Sequence, residues 1–182
     1  MAGGTVASGR THTIVNVSAI GVAVPLLYYY CEFCLDDVLV GAGCALFGTI
    51  FLSPDLDLKQ SKSSQAWGWF SWIWYVYNRC FSHRKLSHFF ILGTVSRVIY
   101  LFLAAILIST LASLSIYCYE ELSVDSVLVA QESIGQIIRD SVLWAENHPK
   151  ILLAGFIGLV FSDGLHLVTD LLYSFFKRRR AL

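Results

Sequence analysis

The stretch "FSDGLHLVTD", residues 161–170, sets Asp163, His166 and Asp170 inside an apolar run from Ile151 to Phe176. Residues three, four and seven apart share a helix face, so the three groups line one stripe of a helix. An ionisable group within a membrane-spanning helix costs about 2.5–3.5 kcal/mol on the insertion scale, and is therefore paired, turned to a cavity or bound to an ion. Arg97 is the only cation in the other long apolar runs. A pair with Arg97 accounts for Asp163 and leaves His166 and Asp170 in need of another partner.

Imidazole and carboxylate recur where the other apolar runs begin or end. His12 stands before the first run, Asp55 and Asp57 after the second, His83 and His88 before the third. Imidazole with carboxylate suits zinc, iron or manganese, whereas calcium prefers oxygen alone. The set His12, Asp55, Asp57, His83, His88, His166 and Asp170 exceeds the four or so ligands of a closed structural zinc site, which leaves open positions or room for a second ion. On a continuous helix His83 and His88 would lie about 140° apart. His88, nearer the apolar run, is the better ligand, and His83 and Arg84 suit outer hydrogen bonding or substrate contact. Each piece also has a plainer reading. "SPDLD" suits a turn in which Asp57 caps a helix, and "HRKLSH" suits a basic patch on lipid phosphates. A shared depth for all of them favours the metal.

That depth follows from the elements. The chain has 182 residues, 56% of them hydrophobic and 14% charged, with a mean hydropathy of +0.63. These values point to a membrane protein. Apolar runs near the ~20 residues that cross a bilayer fall at residues 14–30, 38–52, 89–118 and 151–176. They predict an all-α, polytopic membrane bundle, a single domain over residues 1–182 with about four transmembrane helices. The second run is short. The first lacks the form of a signal peptide, with one Arg before it and no A-x-A-like site after it.

Four spans put Arg10, Lys59, Lys62, Arg79, Arg84, Lys85, Lys177, Arg178, Arg179 and Arg180 on one side, and Glu32, Asp36, Asp37, Glu120, Glu121, Asp125, Glu132, Asp140 and Glu146 on the other, with only Arg139 and Lys150 against them. The positive-inside rule makes the first side, with both termini, cytoplasmic or stromal. The His and Asp cluster then sits at that face, and His148 lies across the bilayer from it. Dropping the second span would separate Arg10 from the 59–85 cations, so the charge bias supports keeping it. "AWGWFSWIWYVYNRCF" reads as an interfacial aromatic helix. With only Arg79 in it, the segment lacks the basic groove of a nucleic-acid platform. Residues 119–149 read as an acidic helix on the non-cytoplasmic side, ended by Pro149. "CEFC", residues 31–34, lacks the second pair of a zinc ribbon and reads as small apolar side chains or a disulfide.

"SGRTHT", "SPDLDL", "HRKLSH", "RVIY" and "HLVTD", in this order and over nearly the whole chain, resemble a family of metal-binding integral membrane proteins of unknown function common in cyanobacteria. That family is related to the YdjM-like membrane-bound, metal-dependent hydrolases, and distantly to the zinc-dependent phospholipase C and nuclease superfamily. The resemblance implies an all-helical core and metal ligands His12, Asp57, His88, His166 and Asp170. The three-metal centre of the soluble enzymes is not expected, because their N-terminal Trp and further downstream His and Glu are missing. The function so implied is hydrolysis of a phosphoester or lipid-like substrate at the cytoplasmic face, with one or two ions, zinc first and iron or manganese next. Asp55 or Asp163 would act as base or orient a ligand, while Arg84 or Arg97 would bind substrate oxygen and His83 would stand beside them. The alternative is a non-catalytic protein stapled by its metal, a subunit or assembly factor of a larger membrane complex. An ion or proton carrier ranks last, since the third run offers no polar path beyond Arg97 and a few hydroxyls.

Overall fold

The computed structural model describes residues 7–58, 60–80, 90–119 and 124–180. Helices run over Gly9–Tyr29 (α1), Leu35–Phe51 (α2), Lys62–Ala66 (α3), Ile73–Cys80 (α4), Phe90–Tyr119 (α5), Val124–Asn147 (α6) and Pro149–Arg180 (α7), with 3-10 turns at Pro54–Asp57 and Gly68–Trp72. No strand occurs among the described residues. The fold is all-α, and α1, α2, α5 and α7 are long and apolar enough to cross a membrane. The short second run lengthens at its start, where Leu35, Asp36 and Asp37 form the first turn of α2. Acidic side chains there meet the positive end of the helix dipole.

The bundle is organised around α2 and α7, whose backbones meet through small residues. A Cβ built on Gly158 would fall 2.0 Å from the Gly41 carbonyl oxygen, and one on Gly48 would fall 2.4 Å from Ser162 Oγ. Only a missing side chain allows this approach, the packing mode that lets helices associate without a water-driven hydrophobic effect. The contact fixes α2 against the stretch of α7 that bears Ser162 and His166. Across both lies α1. Its buried Asn16 donates Nδ2–H to Thr49 Oγ1 at 3.0 Å and to the Ser162 carbonyl at 3.1 Å, joining three helices through one amide. At the start of α1, Ser8 caps the helix by accepting from the Thr11 amide, as a serine at that position does.

On the other side α5 meets α7 through a buried pair. Arg97, 1% exposed, donates Nη2–H to Asp163 Oδ2, and Thr94 Oγ1 donates to the same oxygen. Below it, Leu52, Leu56, Trp74 and Tyr77 form a buried cluster with Trp67 and Tyr100 packed on it. Trp67 Nε1–H donates to the Phe51 carbonyl at 2.8 Å, and Tyr77 OH bonds Ser96 Oγ at 2.9 Å. The aromatic run is therefore divided: Trp74 and Tyr77 are core, and Trp69 and Trp72, 90% and 55% exposed, face outward. A helix covers most of the predicted acidic segment as α6, ending at Asn147, and Pro149 opens α7, a position where its missing N–H is no loss. Cys31 and Cys34 are free thiols.

Candidate metal centre

Three elements deliver the polar groups to one place. His12 comes from the second turn of α1, Asp55 from the 3-10 turn after α2, and His166 and Asp170 from successive turns of α7. "SPDLD" folds as it does because Ser53 caps the turn by accepting from the Asp55 amide and Pro54 takes the first helical position, a pairing that both residues favour. The donor atoms of His12, Asp55 and His166 lie within 4.8 Å of one another, and together these groups could hold one metal ion. Both histidines are buried, at 4% and 2% exposure.

Among the described residues one nitrogen of each ring is left without a hydrogen-bond partner. The rings of His12 and His166 stack with centroids 3.7 Å apart and planes 11° from parallel. His12 Nε2 lies 3.1 Å from Asp170 Oδ1, which also accepts from the Ala7 amide at 3.1 Å. His166 Nδ1 lies 3.4 Å from Ser53 Oγ. Each ring thus spends one nitrogen on an orienting partner. The other nitrogen, Nδ1 of His12 and Nε2 of His166, is buried with no hydrogen-bond partner among the described residues. A buried nitrogen so stranded costs about 1–3 kcal/mol. A cation would use a lone pair so placed, and the pattern of carboxylate or hydroxyl behind imidazole is the one that fixes tautomer and ring direction in metal sites. His166 Nε2 stands 3.6 Å from Asp55 Oδ2 and 3.6 Å from Asp170 Oδ2. The donor set, two imidazoles and one or two carboxylates, fits a zinc-like divalent ion and falls short of the six or more oxygens that calcium takes.

Beside the ligands opens a cavity of about 240 Å³, lined among others by His12, Asn16, Ser53, Asp55, Lys62 and His166. Gly9, Asp55 and Lys62 also line an adjoining cavity of about 530 Å³, which includes Gln60 and Ser61. Among the described residues Asn16 Oδ1 is a further buried atom without a partner.

Of the residues singled out in the sequence, the structure brings His12, Asp55, His166 and Asp170 together. Asp163 instead accepts from Arg97 and Thr94, so the expected pair with Arg97 is the one observed. It lies one turn of α7 before His166 and two before Asp170, at the level where α5 presents Arg97 and Thr94. Arg97 is committed to that pair. His83, Arg84 and His88, and the side chain of Asp57, lie outside the described residues. Lys62, Ser53 and Asn16, which line the cavity, are not marked as site residues by the sequence. Ser before Pro is a capping pattern that could single out Ser53, and no pattern marks the other two.

A helical bundle whose first, second and last long helices converge on buried His and part-buried Asp donors defines a protein with a His/Asp metal centre. The chain belongs to the uncharacterized metal-binding protein family DUF2227, whose profile matches residues 7–180. An uncharacterized protein of Aquifex aeolicus is 35% identical over 138 residues, 73% of this chain and 89% of that one. No solved structure matches the chain. These matches agree with the metal-binding part of the resemblance. They carry no link to YdjM-like hydrolases or to cyanobacteria in particular.

Proposed function

We propose that this chain is an integral membrane protein, with both termini on the cytoplasmic or stromal side, whose centre holds one zinc-like ion and hydrolyses a phosphoester or lipid-like substrate at that face. Bilayer embedding is supported by the exposure of large apolar side chains along α5 and α7, such as Phe102, Leu103, Leu107, Leu153, Ile157 and Leu171, since soluble monomers rarely expose such continuous faces. Lipid is then the first partner. Orientation rests on the basic side that Arg10, Lys62 and the 177–180 run share. It sets the centre at headgroup depth.

The observation that carries hydrolysis is an open cavity beside three ligands. A structural zinc site is closed by four protein ligands, whereas a catalytic one keeps a position free. Bound there, a divalent ion would polarise an ester oxygen and bring the pKa of a water towards neutrality. His12, Asp55 and His166 would hold it. Asp170 would keep His12 directed by accepting its Nε2–H, and Ser53 would do the same for His166. Asp170 Oδ2, 3.6 Å from His166 Nε2, is also the carboxylate placed to take up a proton at the edge of the centre. Asp163 is spent on Arg97 and has no part in the proton traffic. Protein purified in detergent should contain stoichiometric metal and cleave phosphodiester or phosphomonoester substrates, and His166→Ala should lose both.

A metal staple, in a subunit or assembly factor of a membrane complex, is favoured by one observation: the stacked rings join the first and last helices of the chain. Stoichiometric metal without turnover, and loss of folding in His166→Ala, would select it.

A further inference from the structure

The carboxylates at the centre favour cations, yet a phosphoester is an anion, and something in the cavity must reverse the sign for it. Asp55 and Asp170 together balance one divalent ion. Among the described side chains lining the cavity, Lys62 is the only further full charge, so the loaded cavity carries a net positive charge and attracts a single negative one. The other described cations are elsewhere. Arg97 is buried against Asp163, and Arg79 Nη1–H donates to Tyr75 OH at 3.3 Å.

Lys62 is also held in place. It is the first residue of α3, whose cap is Ser61 Oγ accepting from the Ser64 amide at 3.0 Å. A Cβ on Gly9 would touch Lys62 Cγ and Cδ at 3.5 Å, so the methylene stem rests against the start of α1, one turn before His12. Lys62 is exposed, and its side chain lines the cavity with its stem at the start of α1, as a long cationic side chain does at an apolar surface. Among the described residues Lys62 pairs with no carboxylate.

We propose that Lys62 is the anion-binding residue of the centre and that the group it selects is a phosphoryl group, seated between the metal position at His12 and His166 and the Lys62 ammonium. The inference rests on the hydrolytic reading above and names its substrate chemistry. An ammonium is a strong point donor to phosphate oxygen. A tetrahedral phosphoryl spreads its oxygens out of any one plane and carries more negative charge, whereas a carboxylate offers two oxygens in one plane. About 240 Å³ is small beside the roughly 300–1,000 Å³ of sites that enclose whole ligands. The cavity takes the phosphoryl group alone, and the adjoining space past Lys62 and Gln60 takes the esterified remainder.

The test is calorimetric titration of inorganic phosphate into zinc-loaded protein in maltoside micelles, with metal content measured on every sample. Lys62→Met should weaken phosphate binding about tenfold or more with zinc content unchanged, and Lys62→Arg should keep most of the affinity. Acetate should bind at least tenfold more weakly than phosphate. Phosphatidic acid displacing phosphate would place the source in the membrane, and glycerol 3-phosphate alone displacing it would place the source in solution. Either supports the assignment; displacement by neither overturns it. Equal phosphate affinity in wild type and Lys62→Met, or acetate binding as tightly as phosphate, also overturns it while leaving the metal centre standing. A chain that takes up no zinc sinks the centre and this inference with it.

Discussion

His12 and His166, near opposite ends of the chain, lie ring upon ring with centroids 3.7 Å apart, and each presents a buried nitrogen that no described residue bonds. Two neutral rings tolerate this; two imidazolium rings would repel. A divalent ion beside Asp55 would use a lone pair so placed. Removing either ring removes a ligand, so His12→Ala and His166→Ala should each weaken zinc binding by more than the roughly 10- to 100-fold expected of an outer partner. Competition titration with a chromogenic chelator measures it, and wild-type affinity in either variant would contradict the assignment.

Ser53 and Asp170 orient the rings without owning the two stranded nitrogens. Ser53→Ala and Asp170→Ala should therefore keep the helical circular dichroism and lose zinc affinity in the 10- to 100-fold range. Complete loss in Asp170→Ala would instead make Asp170 a ligand in its own right.

Asp163 answers to Arg97. Asp163→Asn leaves a buried guanidinium uncompensated and should lower stability by about 3–5 kcal/mol, read from denaturant unfolding in micelles, with zinc content unchanged. The double variant Arg97→Met with Asp163→Leu should recover most of that loss, because an apolar pair of similar volume avoids the desolvation of both charges. Zinc lost in Asp163→Asn at temperatures where the helices persist would tie Asp163 to the centre after all.

Much of this was readable in advance, and the boundary is physical. The four long helices are visible because a bilayer-length apolar run needs no tertiary context. Arg97 and Asp163 could be paired on paper because no other long run carries a cation. His12, His166 and Asp170 share a depth that loop charges alone predict. That Asp55 reaches His166 depends on the phase of a 3-10 turn, set by Ser53 and Pro54 together with α7, and the periodicity of an α-helix says nothing about it. Trp74 and Tyr77 are core because Tyr100 of α5 comes over them. A run of aromatics on no single stripe cannot announce such a partner. In the sequence Lys62 is one cation among those between the second and third runs, and its place at the start of α1 arises from a contact with Gly9.

The α2–α7 contact should be intolerant at one point and indifferent at another. Gly158→Ala drives a methyl to 2.0 Å from a backbone oxygen of α2, whereas a Cβ on Gly21 meets nothing within 4 Å. Gly158→Ala should destabilise by more than about 2 kcal/mol, as overpacking against backbone does, and should weaken zinc binding because Ser53 and His166 move apart. Gly21→Ala should be neutral or stabilising by up to about 1 kcal/mol. Thermal unfolding of the two variants in the same micelles compares them directly.

The most direct test is metal analysis by mass spectrometry on protein purified without a histidine tag, followed by X-ray absorption at the edge of the metal found. One ion per chain with two imidazole nitrogens at about 2.0–2.1 Å, both lost in the His12→Ala, His166→Ala double variant, is the expected result. Less than a tenth of an ion per chain after saturation with zinc, iron or manganese, or a full ion retained by the double variant, would contradict a centre built on His12 and His166.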